Sequence, residues 1–202
     1  MSPGRLETFA DGVFAIAATL LILTVDGAVG GHGADLAASL RHAWPAYVGY
    51  VVSFVTIGIM WMNHHTVMGL VGRVDRRFVL ANLGLLMCIA FVPFPTRLVA
   101  ENIRGDGAQS AALAYGFTLT VTAVFFNLVW FYAERGRRLL RDTADPRVVA
   151  GLNRTYLPGP WIYLGATLVA FASPTASALL YLAIAALYIF ESSLFGGRTA
   201  SD

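Results

Sequence analysis

The sequence predicts an all-α, polytopic membrane protein with six transmembrane helices. Hydrophobic residues make up 57% of its 202 residues, and charged residues only 13%, whereas soluble proteins carry about 25% charged residues. The mean hydropathy is +0.65. Apolar segments of about 20 residues recur along the chain, and a helix of that length crosses the roughly 30 Å of hydrocarbon in a bilayer. We therefore treat residues 1–202 as a single membrane domain.

Six apolar segments follow one another, separated by short polar, glycine-rich or proline-containing stretches. The predicted spans, in chain order, cover residues 6–25, 44–68, 78–100, 108–133, 155–172 and 176–195. Glycines in the stretch 26–33 predict a loop after the first span, and residues 35–42 suit a short interfacial helix. Pro93 and Pro95 remove backbone donors, so the third span must kink or end there.

The arginines predict the orientation of the chain. All 14 basic residues are arginine, and an even number of spans leaves both termini on one side. Eleven of the 14 arginines fall on the side of the termini, and three (Arg41, Arg97 and Arg104) fall on the other. Since basic residues concentrate on the cytoplasmic side, both termini are predicted to be cytoplasmic.

Several kinds of site have no counterpart in this sequence. Cys88 is the only cysteine, so neither a disulfide within one chain nor a cysteine-based metal site is expected. We find no glycine-rich phosphate loop and no nucleophile paired with a base. The arginines stand where topology requires them, which argues against a nucleic-acid surface. We predict no cofactor and no metal.

Polar residues inside the first three spans predict a buried cluster. Asp11 lies about two turns inside the first apolar segment, where an ionisable group is costly unless it meets a partner. With the predicted topology, polar residues of the second and third spans reach a similar depth. The predicted polar network consists of Arg5, Asp11, Trp61, His64, His65 and Asn82. Of the two histidines, one or both are expected to contribute.

This cluster admits three roles. Buried polar groups need partners, so packing and assembly form the simplest role. A histidine could instead sense pH or carry protons. Asp11, His64 and His65 could also form a catalytic or divalent-metal site, although adjacent histidines on a helix point about 100° apart and would not both reach one ion.

A second pattern runs along the first segment. Ile16, Thr19 and Leu23 stand at i, i+3 and i+7, so they share one face of a helix. By spacing alone, such a stripe fits ordinary packing between helices. Asp26 follows at the end of the segment, as acidic residues often do in a loop after a helix.

The beginning of the first segment resembles a known family. The run Arg5-x-x-x-Phe9-Ala10-Asp11-Gly12 is similar to the Arg-x-x-x-Phe-Ser-Asp-Gly signature of the endosomal/lysosomal potassium channel family and its prokaryotic members. Ala10 departs from the pattern, because the family usually has serine at that position, and a role for that hydroxyl in the polar cluster is lost here.

Two further motifs carry the resemblance through the first half of the chain. They are Trp61-Met-Asn-His64-His65 in the second span and Asn82 with Pro93-Phe94-Pro95-Thr96 in the third. The second half matches only in its number of apolar segments. In this family, the polar cluster ties the pore helix to its neighbours.

The resemblance implies a homotetrameric, potassium-permeable channel of the prokaryotic plasma membrane, whose first helix lines a central pore without a carbonyl selectivity filter. It assigns a bulky constriction to Ile16, a hydroxyl layer to Thr19 and a further apolar ring to Leu23. Asp26 would attract cations at the outer mouth. The expected partners are copies of the chain itself, the lipid bilayer and monovalent cations.

A function of a different class stays open at this point. Asp11 with His64 or His65 could serve a membrane-embedded enzyme or a proton-coupled transporter. Passive ion flux without chemical turnover would distinguish a channel from both.

Overall fold

The computed structural model describes residues 2–29 and 35–196, with the side chains of 188–196 left aside. This part of the chain is helical and contains no β-strand. The α-helices, in chain order, are α1 (Pro3–Leu20), α2 (Ile22–Val29), α3 (Leu36–His42), α4 (Trp44–Leu70), α5 (Arg76–Phe91), α6 (Pro93–Asn102), α7 (Ala108–Glu134), α8 (Pro146–Tyr156), α9 (Gly159–Val169) and α10 (Pro174–Gly196).

The first span consists of α1 and α2 together. Leu21 between them keeps helical dihedral angles, with φ −58° and ψ −27°, so Pro3–Val29 forms one apolar helix of 27 residues. The span therefore ends later than position 25, and Asp26 lies within a helix and not in the predicted loop. Of the four glycines expected to open that loop, Gly27 alone precedes the end of α2, and residues 30–34 lie outside the described part.

Local backbone and side-chain features determine where the next helices begin and end. The Asp35 carboxylate accepts a hydrogen bond of 3.0 Å from the Ala37 N–H, which caps α3 where a short helix was predicted. Pro45 in the first turn suits the start of α4, because the first N–H groups of a helix have no partner inside it. The third span is divided at Val92, before Pro93, into α5 and α6, as its prolines predict.

The second half of the chain differs more from the predicted spans. α7 covers the predicted fourth span, but the predicted fifth span is interrupted at Leu157 and Pro158, between α8 and α9. Prolines at 158 and 160 remove two backbone donors there. α9 has 11 residues, about 16 Å at 1.5 Å per residue, which is too short to cross a bilayer unaided.

The number of spans remains a prediction. Within the described residues, four helices are long and apolar enough to cross a membrane: Pro3–Val29, Trp44–Leu70, Arg76–Asn102 and Ala108–Arg137. α10, which contains the predicted sixth span, adds an apolar stretch at Pro174–Leu187. The structure thus describes an all-helical protein with about four long apolar helices.

The helices pack around a common core in which α1 contacts α4 and α5, and α7 lies between α5 and α9. Trp130 and Phe78 are the largest fully buried side chains of the described part. Many large apolar side chains nevertheless face outward, among them Met87 and Trp161, which are 68% and 71% exposed. Apolar surface of this extent requires lipid or another protein surface to cover it.

Candidate functional site

All four residues predicted to line or flank a pore lie on an exposed face of the first span. Ile16 is 62% exposed and Leu23 56%, and Thr19 and Asp26 are exposed as well. The opposite face is packed into the core: Leu6, Ala10, Phe14, Ala17 and Leu21 are each at most 2% exposed. The first span therefore has one face packed into the core of the chain and one face that the chain itself leaves uncovered.

The hydroxyl of Thr19 has a defined orientation on this exposed face. Thr19 Oγ1 donates to the Ile16 carbonyl oxygen at 2.9 Å. Because its hydrogen is used by the helix, the lone pairs of the oxygen remain available as acceptors. Thr24 makes the same kind of bond to the Leu21 carbonyl at 2.7 Å but is buried. Of these two hydroxyls, only that of Thr19 can meet a cation on the exposed face.

Asp11 is held by the second span. The indole Nε1 of Trp61 donates to Asp11 Oδ1 at 2.8 Å. The Trp61 ring also stacks on His65, with ring centroids 6.2 Å apart and an interplanar angle of 29°. The carboxylate inside the first span thus has a specific donor, which fixes the rotation of α1 against α4.

A second contact lies beside the first, and sequence reasoning missed it. His65 Nδ1 lies 2.9 Å from Glu7 Oε1. Glu7 precedes Asp11 by four residues and His65 follows Trp61 by four, so each pair shares one helix face. The only sequence signal was this matched i, i+4 spacing. Together, Asp11–Trp61 and Glu7–His65 form a two-rung ladder between antiparallel helices.

His64 takes a different partner on a third helix. His64 and Asn82 are both 0% exposed, and His64 Nε2 lies 2.8 Å from Asn82 Oδ1. Since the amide oxygen can only accept, the ring nitrogen donates. Phe14 of α1 packs on the imidazole, with ring centroids 5.5 Å apart. Adjacent histidines therefore connect α4 to α5 and to α1 respectively.

Arg5 does not join these contacts. Its side chain is exposed, and no hydrogen bond or ion pair links it to another described residue. The other five residues of the predicted network form the Asp11–Trp61–His65 group and the His64–Asn82 pair. Among the residues described, no group of three His, Cys, Asp or Glu side chains could hold a metal ion.

Comparison with known proteins identifies relatives of this chain. The family model described as endosomal/lysosomal potassium channel TMEM175 matches residues 5–93, a stretch that contains the whole exposed stripe and every residue of the polar contacts above.

Two bacterial relatives and one solved structure are particularly similar. A potassium channel of Chamaesiphon minutus is 41% identical over 174 residues, covering 84% of this chain and 85% of the relative. A potassium channel of Streptomyces collinus is 45% identical over 148 residues, covering 73% of this chain and 70% of the relative. The crystal structure of a lysosomal potassium-selective channel TMEM175 homologue from Chamaesiphon minutus superposes with a TM-score of 0.85 at 36% identity, covering 94% of this chain and 97% of that one.

Proposed function

Since this chain belongs to the endosomal/lysosomal potassium channel TMEM175 family, we propose that it is a potassium-permeable channel that conducts cations passively. Four copies assemble around a central axis, and each contributes its first span to the pore. One short helix per chain cannot enclose a pore, so the channel requires self-assembly in the bilayer.

The exposed stripe of the first span is the observation that carries this proposal. Ile16 and Leu23 place large apolar side chains on a face that their own subunit leaves uncovered. Four such side chains around an axis form a dry constriction, which excludes ions by dewetting. Asp26, exposed beyond Leu23 on the same face, attracts cations to the mouth.

Thr19 supplies the one oxygen between the two apolar rings. Its hydroxyl hydrogen is engaged by the Ile16 carbonyl, so the oxygen can point its lone pairs at a passing ion. Four such oxygens replace part of the hydration shell that a cation loses in the constriction. No carbonyl filter is needed for this arrangement.

The polar contacts of α1 hold this face in register. The Asp11–Trp61 and Glu7–His65 rungs lie about one turn or more below the stripe on the same helix. A rotation of α1 that moved Ile16 off the pore axis would break both rungs. We assign the predicted network to packing and assembly for this reason.

The membrane arrangement follows from the arginines. In this proposal α9 belongs to the fifth span, predicted over 155–172, and α10 to the sixth, with both termini in the cytoplasm of a prokaryotic cell. Reporter fusions placed at the C-terminus and in the 101–107 turn should report opposite sides of the plasma membrane. Fusions that report the same side would contradict the six-span topology.

A membrane-embedded enzyme or a proton-coupled transporter finds no comparable support. The relatives are named as channels, and Asp11 and His64 are engaged by Trp61 and Asn82 in contacts between helices.

Flux through liposomes tests the proposed function directly. Purified protein is reconstituted into liposomes loaded with potassium, and efflux is followed with and without an imposed proton gradient. We expect potassium to run down its own gradient in both conditions. Efflux that occurs only with a proton gradient would establish coupled transport, and the absence of efflux from correctly assembled protein would contradict a channel.

A further inference from the structure

A second feature of the bundle involves none of the residues of the exposed stripe. A cavity of about 140 Å³ opens between α4, α6, α7 and α10. Its rim includes Val48 and Leu179, which are 44% and 60% exposed, so the cavity communicates with the outer surface of the bundle. In a membrane, that surface faces lipid or a second subunit.

The bottom of the cavity is lined by hydroxyl-bearing residues but offers no free hydrogen-bond donor. Ser53, Thr96 and Tyr115 line it, and Thr96 Oγ1 donates to the Val92 carbonyl at 2.9 Å. Ser53 then donates to Thr96 at 2.8 Å, and Tyr115 donates to Ser53 at 3.1 Å. Because each of these three hydroxyl hydrogens is already donated to a neighbouring oxygen, none is free to donate to a bound molecule.

The cavity therefore suits a hydrocarbon group. Apolar cavities of about 150 Å³ stay dry and accept benzene-sized apolar molecules. Water would find no free donor at the bottom, and a sugar or amino acid would lose its hydration without compensation. The tail of a lipid acyl chain is the apolar group that a bilayer supplies at this surface.

The entrance carries an unpaired positive charge. Trp44 lines the cavity at the start of α4, and the guanidinium carbon of Arg104 lies 5.0 Å from the centroid of its ring. Arg104 is exposed and makes no ion pair with any described carboxylate, whereas nearby Arg97 is paired with Glu101. Trp at a membrane interface beside a free guanidinium fits a phosphate headgroup.

We propose that this cavity binds one anionic phospholipid per subunit, with an acyl chain between α4 and α10 and the headgroup phosphate on Arg104. Ser53 lies roughly 14 Å along α4 from Trp44 at 1.5 Å per residue, so an acyl chain reaches the hydroxyls while its headgroup stays at the interface. This site is separate from the pore stripe and does not depend on ion conduction.

Native mass spectrometry of the detergent-purified protein tests the proposal. Dioleoylphosphatidylglycerol and dioleoylphosphatidylcholine are titrated onto wild type, Arg104→Gln and Ala112→Leu, in which the larger side chain fills the cavity. We expect wild type to prefer the anionic lipid. Arg104→Gln should lower that preference roughly fivefold, about 1 kcal/mol for one arginine at an anionic membrane surface.

The two cavity variants separate the acyl site from charge alone. Ala112→Leu should weaken both lipids, because hydrocarbon no longer fits. Val48→Trp, which covers the entrance from an exposed position, keeps this test valid if Ala112→Leu fails to fold. Arg73→Gln, at an exposed arginine on the other side of the bundle, should change nothing.

Three results would overturn the proposal. Lipid binding that both cavity variants leave intact would mean adsorption to the surface by charge. Competition by inorganic phosphate as effective as that by the lipid would mean an anion site without an acyl pocket. Loss of assembly, and not of lipid, in the cavity variants would mean that a second copy of the chain covers this face.

Discussion

The Trp61 indole donates a 2.8 Å hydrogen bond to the Asp11 carboxylate, and this bond joins the first two spans at a point where an unpartnered carboxylate would be costly. The bond also holds the first helix with Leu6, Ala10, Phe14 and Ala17 turned into the core, so that the stripe of Ile16, Thr19 and Leu23 faces outward.

Removal of the carboxylate should harm assembly before permeation. Asp11→Ala leaves the Trp61 N–H without its acceptor, and Trp61→Phe leaves Asp11 without its donor. Each change should cost about 1.5–3 kcal/mol, as for hydrogen bonds to charged groups, and should reduce the tetramer fraction measured by size-exclusion chromatography with light scattering. Trp161→Phe, on an exposed ring, provides the control. Variants that assemble fully and merely lose flux would favour a catalytic or coupling role for Asp11.

Asp75 should make stability depend on acid. Its carboxylate accepts from the Phe78 N–H at 2.8 Å, from the Tyr132 hydroxyl at 2.7 Å and from Arg138 at 2.5 Å. These contacts, the Phe78 bond foremost, lower the pKa of Asp75 from 3.8 to about 2. A lowered pKa in the folded state stabilises the fold above pH 3.8, and this stabilisation is lost as the pH falls through about 2.

Asp75→Asn keeps an oxygen that can cap the helix but loses the negative charge that faces Arg138. It should therefore lower Tm at neutral pH, by an amount in keeping with up to about 1 kcal/mol for an exposed ion pair. The difference in Tm from wild type should shrink as the pH falls from 4 toward 2. Asp142→Asn, at an exposed acid without a described contact, should behave as wild type. A difference that stays constant with pH would show that the charge of Asp75 contributes nothing.

Ile16 should act as the barrier to ions of every kind. Ile16→Ala or Ile16→Asn widens and wets the constriction, so single-channel conductance should rise for potassium and sodium together. Ile162→Ala makes the same truncation on the exposed face of α9 and should leave conductance unchanged. A closed or unaltered pore in the Ile16 variants would place the constriction elsewhere.

Thr19 should set the preference among cations. Thr19→Val keeps the shape of the side chain and deletes its oxygen, so the potassium-over-sodium permeability ratio from reversal potentials should fall while assembly persists. Thr24→Val deletes a buried hydroxyl from the same span and should leave the ratio as it is. An equal ratio in wild type and Thr19→Val would remove the hydroxyl from the selectivity mechanism.

Much of the site could be predicted from sequence, because depth in a membrane follows from position along a helix. Asp11, Trp61, His64 and Asn82 were expected at one level, and they meet there in pairs. The sequence could not place Arg5, because its long side chain can reach solvent as easily as a partner. It also could not predict the Glu7–His65 contact, because that contact depends on how two helices are rotated against each other. The stripe itself was ambiguous, since periodicity identifies a face but not what that face meets.

The fold, too, could be predicted from the sequence only in part. The division of the third span before Pro93 follows from local backbone chemistry, and so was predictable. The predicted fifth span began at residue 155 and so included the break at Pro158, because hydropathy averages over several residues and the apolar run after Pro158 dominates that average.

Thiol accessibility along the first span tests the pore most directly. Single cysteines are introduced by Ile16→Cys, Thr19→Cys and Leu23→Cys in a Cys88→Ala background, and liposome potassium flux is measured before and after a water-soluble thiol reagent. Ala17→Cys and Leu21→Cys are the controls, since both positions are buried within the subunit. We expect the reagent to block flux at 16, 19 and 23 and to leave 17 and 21 unaffected. Equal modification at all five positions would mean that this stripe does not line a pore.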